Sequence, residues 1–228
     1  MNFLSHYYFE RNNPDYYMVL GVVLPDLVKN AHKDWNLNPQ KEPDLFNGSE
    51  AHRSLLKGWR KHLEADKIFH SSAFFTQQTA LLKQHILPVL STGPVKPFFL
   101  AHIGLELVLD HLLSITALVN MDTFYQQLAA ANTPELDSFL LLAGIPDLPK
   151  FKHFLSEFIK SRYLLSYQKP ENISYALNRI CMRLWANPLT GNQLTALTAA
   201  TILFKEELAN SYLDIFTDME AQLSMKTF

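Results

Sequence analysis

Two short stretches of this chain carry histidine and carboxylate side chains at every fourth position. They are His62, Asp66 and His70 in the first stretch, and His102, Glu106 and Asp110 in the second. A step of four residues exceeds one helical turn by only about 40°, so each triplet lies on one face of a helix. Imidazole and carboxylate together bind divalent cations such as Mn, Fe or Zn, whereas a thiolate cage needs several cysteines and this chain has one. Two facing stripes therefore predict a metal site.

The second stripe lies in an otherwise apolar segment, PFFLAHIGLELVLDHLLS. Glu106 and Asp110 are one helical turn apart there, and two such carboxylates repel each other and resist burial unless a cation neutralises them. For the first stripe, a surface ion pair between His62 and Asp66 is the alternative interpretation. The repulsion in the second stripe favours a functional role for its helix.

Two further candidates lie near the N-terminus. Asp26 follows Pro25 in the apolar stretch LGVVLPDLVKN, where a carboxylate is costly to bury unless it is paired or bound to a metal. The alternative is a helix kink at Pro25 that turns Asp26 towards water. His6 lies among aromatic residues, where a histidine is often a satisfied core residue rather than a ligand. The residue after Asp110, His111, is a candidate general acid or base.

Long stretches with a 3.6-residue period, and only seven glycines, predict an all-α fold. We expect a single-domain helical bundle over residues 1–228. The predicted helices span 15–32, 49–67, 70–91, 95–119, 122–132, 135–144, 149–168, 171–185 and 191–224. Turn-forming residues with a proline separate several of them, for example at Ser91-Thr92-Gly93-Pro94. The polar segment from His32 to Asp44 predicts a surface loop or lid.

The composition narrows the classes of partner. A formal net charge of -2 and a pI near 6.5 give no global attraction to nucleic acid or anionic membranes. The N-terminal sequence MNFLSHYYFE has neither a basic region nor a long apolar run, so no signal peptide and no membrane insertion are expected. A single cysteine excludes an internal disulfide and suits a reducing compartment. We expect a soluble cytoplasmic protein.

These residues resemble the acyl carrier protein phosphodiesterase family, a helical group related to the HD-type metal phosphohydrolases, over nearly the whole chain. The family begins MNFLAH and continues with a G-x-x-x-x-D segment, which this chain matches with MNFLSH and with the segment from Gly21 to Asp26. Its G-x-x-x-H-R-x-x-D-x-F-T-D run corresponds to Gly58, His62 and Asp66.

The family's later elements are also similar to this chain. Its D-x-x-x-D-H-F-L element corresponds to Glu106, Asp110 and His111, and its L-x-R-I-x-x-R-L helix contains Arg179 and Arg183. Two departures fall on candidate ligands. The F-T-D triplet is replaced by Ile68-Phe69-His70, and an aspartate of the later element is replaced by Glu106.

The resemblance implies a metal-dependent hydrolase that releases 4'-phosphopantetheine from a serine of holo-acyl carrier protein. It implies one or two divalent cations, most readily Mn or Mg, with Fe or Zn as further possibilities. The candidate metal ligands are His6, Asp26, His62, Asp66, His70, His102, Glu106 and Asp110. The candidate catalytic residues are Asp66, Asp110 and His111.

The implied partner, acyl carrier protein, is strongly acidic, so basic side chains are expected beside the pocket. The candidates for binding the substrate are Arg60, Arg179 and Arg183. The spacing of the last two arginines suits a phosphate clamp with forked hydrogen bonds. Ordinary solvation or ion pairing of these side chains is the alternative.

Two other interpretations stay open at the level of sequence. His62-x-x-x-Asp66 and His102-x-x-x-Glu106 also suit an all-helical zinc phospholipase or nuclease. The second interpretation is a helical binding protein that keeps the fold without catalysis and contacts a carrier protein or another partner. The sequence leaves the oligomeric state open as well.

Overall fold

The computed structural model describes residues 1–90 and 93–228 of the chain. Over these residues the protein is 73% helical and contains no strand, which confirms the all-α prediction. Three short 3-10 helices span Pro39–Lys41, Pro43–Phe46 and Tyr163–Gln168. The α-helices are α1 Phe3–Tyr8, α2 Tyr16–Ala31, α3 Glu50–Ser71, α4 Ala73–Ile86, α5 Pro97–Ile115, α6 Met121–Ala130, α7 Pro134–Leu142, α8 Leu148–Ser161, α9 Pro170–Cys181, α10 Gly191–Leu208 and α11 Tyr212–Ser224.

Several helices begin where a polar side chain satisfies the first free backbone N–H groups. The Asp15 carboxylate accepts hydrogen bonds from the amides of Tyr17 and Met18 at the start of α2. Ser49 and Ser72 act in the same way at the starts of α3 and α4. Such N-caps stabilise a helix by about 1 kcal/mol each. They explain why the chain changes direction at these points.

The structure corrects the predicted helices at four places. Helix α1 was not predicted, and α3 continues to Ser71 instead of ending at residue 67. The predicted helix 149–168 ends at Ser161, because Arg162 adopts a left-handed conformation with φ 49°. The predicted helix 191–224 is two helices, α10 and α11. Ser91 and Thr92, in the turn predicted before Pro94, lie outside the described residues.

Helix α5 lies at the centre of the bundle. It packs against α4, α9, α1 and the 3-10 helix Tyr163–Gln168. Among the described residues, it is the one helix long and apolar enough to span a membrane, and 67% of its apolar window is buried inside the protein. The core helix of a soluble protein has the same properties, so this finding is weak evidence for a membrane span.

The segment between α2 and α3 packs against both helices. Trp35, Leu37 and Phe46 from this segment are buried in the core. Trp35 and Leu37 line a small cavity of about 220 Å³ with Trp59 of α3 and Pro25 of α2. The residues lining this cavity do not include the candidate metal ligands, so the segment predicted as a lid covers a different part of the surface.

Helices α2 and α3 approach so closely that two glycines meet at their crossing. A Cβ atom built on Gly58 would lie 2.6 Å from the carbonyl oxygen of Met18 and 2.7 Å from the Cα of Gly21. Contacts of that length do not occur, and the neighbouring atoms are backbone atoms that cannot rotate away. One helical turn beyond Gly58, the same approach brings Nδ1 of His62 to 2.8 Å from the carbonyl oxygen of Val22. The glycine pair therefore sets the depth at which α3 presents its ligands.

We predict that Gly58→Ala destabilises the protein. Alanine favours a helix over glycine by about 1 kcal/mol. The clash with α2 outweighs this gain, because overpacking of a close contact costs about 1–3 kcal/mol or more and the backbone here cannot yield. Urea denaturation should show a lower free energy of unfolding. Gly48→Ala is the matched control, since a Cβ there meets no atom within 4 Å. Equal stability of the two variants would contradict the prediction.

Candidate metal centre and substrate pocket

The short helix α1 carries His6 into the centre of the protein, and a buried carboxylate from α5 holds it there. The side chain of Asp110 accepts hydrogen bonds from the amides of Leu4 and Ser5, at 3.0 and 2.8 Å. It also accepts hydrogen bonds from the Ser5 hydroxyl at 2.7 Å and from the Asn2 amide at 2.9 Å. Burial raises the pKa of Asp110 to about 7, and the hydrogen bonds from Ser5 and Leu4 act against that rise.

These contacts make Asp110 the N-terminal cap of α1. The first amides of a helix have no partner within it, and they favour negative charge. A helix of six residues is too short to be stable in isolation. With four donors on its two oxygens, the Asp110 carboxylate is occupied by α1, and it belongs to neither of the two groups of converging ligand atoms described below.

The first of these groups consists of His6, His62 and Asp66, whose nearest ligand atoms all lie within 4.8 Å of one another. Nε2 of His6 is 3.2 Å from Oδ1 of Asp66, and Nε2 of His62 is 3.5 Å from Oδ2 of Asp66. The two imidazole rings stack with centroids 3.8 Å apart. Asp26 joins the group, with Oδ1 4.0 Å from Nε2 of His62. Helix α2 continues through Pro25 and directs Asp26 to this group.

Two buried atoms of the first group lack a hydrogen-bond partner. Nε2 of His6 is close to Asp66 without hydrogen-bond geometry, and Oδ2 of Asp26 has no partner among the described residues. Unpaired buried polar atoms are rare and call for an explanation such as a bound ion or water. Nδ1 of His62 lies 2.8 Å from a backbone carbonyl and donates to it, so Nε2 is the nitrogen that a cation would meet, in exchange for a proton. Burial disfavours the charged ring, but Asp26 and Asp66 outweigh burial and raise the pKa of His62. The donor set therefore fits a divalent cation.

Burial and mutual contact shape the charges of the first group. Burial and the neighbouring His62 lower the pKa of His6 to about 3, so this ring is neutral at pH 7. Burial also raises the pKa of Asp26 to about 6. Burial would likewise raise the pKa of Asp66, but His6, His62 and the Met1 ammonium hold it well below its usual value. Asp66 is therefore the permanent negative charge of the group.

The second group consists of His70, His102 and Glu106. Nε2 of His70 lies 3.1 Å from Nε2 of His102 and 3.2 Å from Oε1 of Glu106, and the latter two atoms are 3.1 Å apart. Nδ1 of His70 lies 2.8 Å from the backbone carbonyl of Asp66. Burial opposes ionisation of Glu106, but the Met1 ammonium and His102 keep its pKa well below the usual value. The continuation of α3 beyond residue 67 makes this group possible.

The amino group of Met1 lies between the two groups. It is 2.6 Å from Oδ1 of Asp66 and 3.3 Å from Oε1 of Glu106. Burial disfavours the ammonium form, but Glu106 and Asp66 outweigh burial and raise the pKa of the amine to about 10. A positive charge thus sits between the two carboxylates, as a bound cation would.

A cavity of about 470 Å³ opens beside the two groups. Asp26 and Glu106 lie in its wall on the side of the candidate ligands, and Ile103 and Leu107 of α5 line it with apolar surface. The lining also contains three tyrosines and two arginines, Tyr163, Tyr167, Tyr175, Arg179 and Arg183. Burial raises the pKa values of Tyr163 and Tyr167, so both phenols stay protonated at neutral pH and can donate hydrogen bonds.

Arg179 and Arg183 face this cavity without a carboxylate partner among the described residues. The contact given for Arg183 is a hydrogen bond of 3.3 Å from Nη1 to Oδ1 of Asn30. Guanidinium groups beside a cavity attract anions, and two of them suit a phosphate. Arg60 lies elsewhere, on the outer face of α3 beside Arg53 and Glu50, and does not line this cavity.

His111 is not among the residues that line the cavity. Its side chain is buried, and Nδ1 lies 2.6 Å from the carbonyl oxygen of Tyr167. The ring therefore supports the 3-10 helix that carries Tyr163 and Tyr167. Tyr175 was not among the predicted site residues. Its position four residues before Arg179 on α9, with Arg183 four residues further along the chain just beyond the end of that helix, is the sequence signal that could have identified it.

Residues 1–219 of the 228 match the family model of acyl carrier protein phosphodiesterase. The chain belongs to the acyl carrier protein phosphodiesterase family. Neither the curated proteins nor the solved structures contain a significant match. The first group contains His6, Asp26, His62 and Asp66 of the motifs shared with this family, whereas the shared Asp110 and His111 lie outside it. The two candidate ligands that depart from the family motifs, His70 and Glu106, lie in the second group.

We predict that Asp110→Asn destabilises the protein through α1. Both oxygens of Asp110 accept hydrogen bonds, whereas the asparagine side chain has one oxygen and one NH2 group. The NH2 group would face N–H or O–H donors and leave them without an acceptor, and a buried unsatisfied group costs about 1–3 kcal/mol. Chemical denaturation should show this loss. Asp214→Asn on the exposed face of α11 is the matched control, and it should change the free energy of unfolding by no more than about 0.5 kcal/mol. A similar effect of both substitutions would argue against the capping role.

Proposed function

We propose that this chain is a metal-dependent phosphodiesterase that releases 4'-phosphopantetheine from holo-acyl carrier protein. One observation carries the proposal. His6, Asp26, His62 and Asp66 converge with two unpaired buried atoms, beside a cavity with two arginines that lack carboxylate partners. The family match supports the same substrate.

The four side chains of the first group would hold the cation. Two imidazole nitrogens with carboxylate oxygens suit Mn, Fe or Zn better than Mg, which prefers an all-oxygen set. When bound, such an ion supplies a water of lowered pKa and stabilises negative charge on phosphoryl oxygens. The neutral ring of His6 offers its Nε2 lone pair, and the hydrogen bond at Nδ1 of His62 leaves Nε2 of that ring to exchange its proton for the ion.

The cavity walls bind and orient the substrate in this proposal. The guanidinium groups of Arg179 and Arg183 neutralise the phosphodiester, and the phenols of Tyr163 and Tyr167 donate hydrogen bonds to its oxygens. In the reaction a water oxygen bonds to phosphorus and the bond from phosphorus to the serine oxygen breaks. The serine oxygen then takes up a proton, and 4'-phosphopantetheine leaves as a phosphomonoester.

Of the three candidate catalytic residues, Asp66 acts directly in this proposal, as a ligand of the ion. Asp110 and His111 act as positioning residues. Asp110 holds α1 and thereby His6, and His111 holds the backbone of Tyr167. We place the reaction in the cytoplasm, where an acidic carrier protein meets the basic rim of the cavity. No role for nucleic acid is proposed.

The test is conversion of holo- to apo-acyl carrier protein by the purified chain with Mn, followed by mass spectrometry of the intact carrier. We expect His62→Ala to lower kcat/KM at least about 100-fold, because a ligand of the ion is lost. His85→Ala is the matched control, since this histidine pairs with Glu207 away from the cavity. Metal-loaded protein that binds the carrier without cleaving it would overturn the proposal in favour of a silent binding protein. Cleavage of phospholipid or nucleic acid alone would favour the zinc hydrolase interpretation.

The two arginines of the cavity should affect the reaction separately from the metal. Loss of a charge-assisted hydrogen bond to phosphate costs about 1.5–3 kcal/mol, or about 10- to 100-fold in kcat/KM. We therefore expect this loss for Arg179→Ala and Arg183→Ala with an unchanged metal content. Arg60→Ala is the comparison, because Arg60 lies outside the cavity. A larger effect of Arg60→Ala than of the other two would reverse this assignment of the anion site.

A further inference from the structure

The second group of ligand-type side chains shares no residue with the four used above and adjoins them across the Met1 amine. His70 ends the stripe of α3, and His102 and Glu106 belong to α5. The side chains of the two histidines are each 33% exposed, and Glu106 is 15% exposed, so solvent ions reach them. Glu106 also lines the 470 Å³ cavity. The group is therefore accessible and adjacent to the proposed substrate.

The three ligand atoms form a nearly equilateral triangle. Its edges are 3.1, 3.2 and 3.1 Å, measured between Nε2 of His70, Nε2 of His102 and Oε1 of Glu106. A tetrahedral zinc ion with bonds of about 2.0–2.1 Å separates its ligand atoms by about 3.3 Å. The spacing of the three atoms thus already approaches that of a bound ion.

With both rings neutral, the protons within this triangle do not account for its contacts. Nδ1 of His70 donates its hydrogen to the carbonyl oxygen of Asp66, so Nε2 of the neutral ring is an acceptor. The Glu106 oxygen is also an acceptor, and in this tautomer its 3.2 Å contact with Nε2 of His70 lacks a proton. The Met1 ammonium, 3.3 Å from the same oxygen, is the positive charge that now faces it, in the position that a bound cation would take over. His102 supplies at most one N–H for the two other edges. A cation placed among three lone pairs would satisfy all of them together.

The surroundings of His70 follow the pattern of a metal ligand. A ligating histidine usually donates its second ring nitrogen to a carbonyl or carboxylate, which fixes the tautomer and aims the lone pair. The rings of His70 and His102 both meet the edge or face of Phe75, at 4.9 Å between centroids. Phe75 therefore limits how far either ring can turn. The triangle is held by the backbone and by this phenylalanine.

We infer that His70, His102 and Glu106 form a second divalent-cation site, separate from the first group and suited to Zn, Co or Mn. Two imidazole nitrogens and one carboxylate favour these ions over Mg. Three protein ligands with exposed rings leave further positions open to water or to a phosphate oxygen, as in catalytic rather than structural zinc sites. The site does not rest on the proposed function, because ion binding can be measured without any substrate.

The experiment counts ions per chain. Protein stripped with a chelator and dialysed is titrated with Zn and, separately, with Mg by calorimetry, and bound zinc is measured by elemental analysis. We expect two zinc ions per parent chain and one in His102→Ala and in Glu106→Gln, which keeps the side-chain volume of Glu106. His62→Ala should lose only the other ion. His85→Ala is the matched control and should keep two. Circular dichroism of each variant checks that it is folded.

The number of zinc ions bound by each variant distinguishes the second site from the first. One ion in both the parent and His102→Ala would overturn the inference and leave an ion-pair cluster, and so would two ions in both. No ion in the parent would overturn both sites. One ion that is lost in His102→Ala and kept in His62→Ala would support this site and contradict the first. Strong binding of Mg at the second site would contradict the role of its nitrogen ligands.

Discussion

The site depends first on one buried carboxylate. Asp110 satisfies the free amides at the start of α1 and receives the hydroxyl of Ser5, so a helix too short to persist alone is anchored to the central helix α5. Burying an ion without partners would cost several kcal/mol, but here four donors offset that cost. The consequence is positional. His6 directly follows the capped amides of Leu4 and Ser5, and its Nε2 is held 3.2 Å from Oδ1 of Asp66 on α3.

The second constraint is the contact between α2 and α3. Because Gly21 and Gly58 carry no side chain, the two backbones approach closely, and the carbonyl of Val22 reaches the ring of His62. That hydrogen bond fixes the orientation of the His62 ring and directs its other nitrogen at the carboxylates of Asp66 and Asp26. The same pairing of α2 with α3 brings Asp26 near Asp66. Helix packing therefore determines both the position and the protonation of the ligands.

The electrostatics of the region follow from this crowding. Asp26, Asp66 and Glu106 lie near one another in a poorly solvated place, and the neutral His6 does not offset their charge. The ammonium of Met1 between two of them shows how strongly the region attracts positive charge. A divalent cation would neutralise the same carboxylates, and it would also give a partner to Nε2 of His6 and Oδ2 of Asp26. Arg179 and Arg183 in the lining of the cavity are positively charged and lack a carboxylate partner among the described residues, so they favour an anionic substrate.

Much of this arrangement was readable from local pattern. The helical period, the four-residue spacing and the family motifs predicted an all-α protein with histidine and carboxylate stripes. Each of these three patterns involves only residues within a few helical turns of one another. The division of the candidates into two groups, the use of Asp110 as a cap and the exclusion of Arg60 from the cavity were not readable. Each depends on partners far apart in sequence, such as Ser5 and Asp110, and on the depth at which helices cross. Periodicity specifies which face a side chain occupies, but packing between distant helices specifies what that face meets.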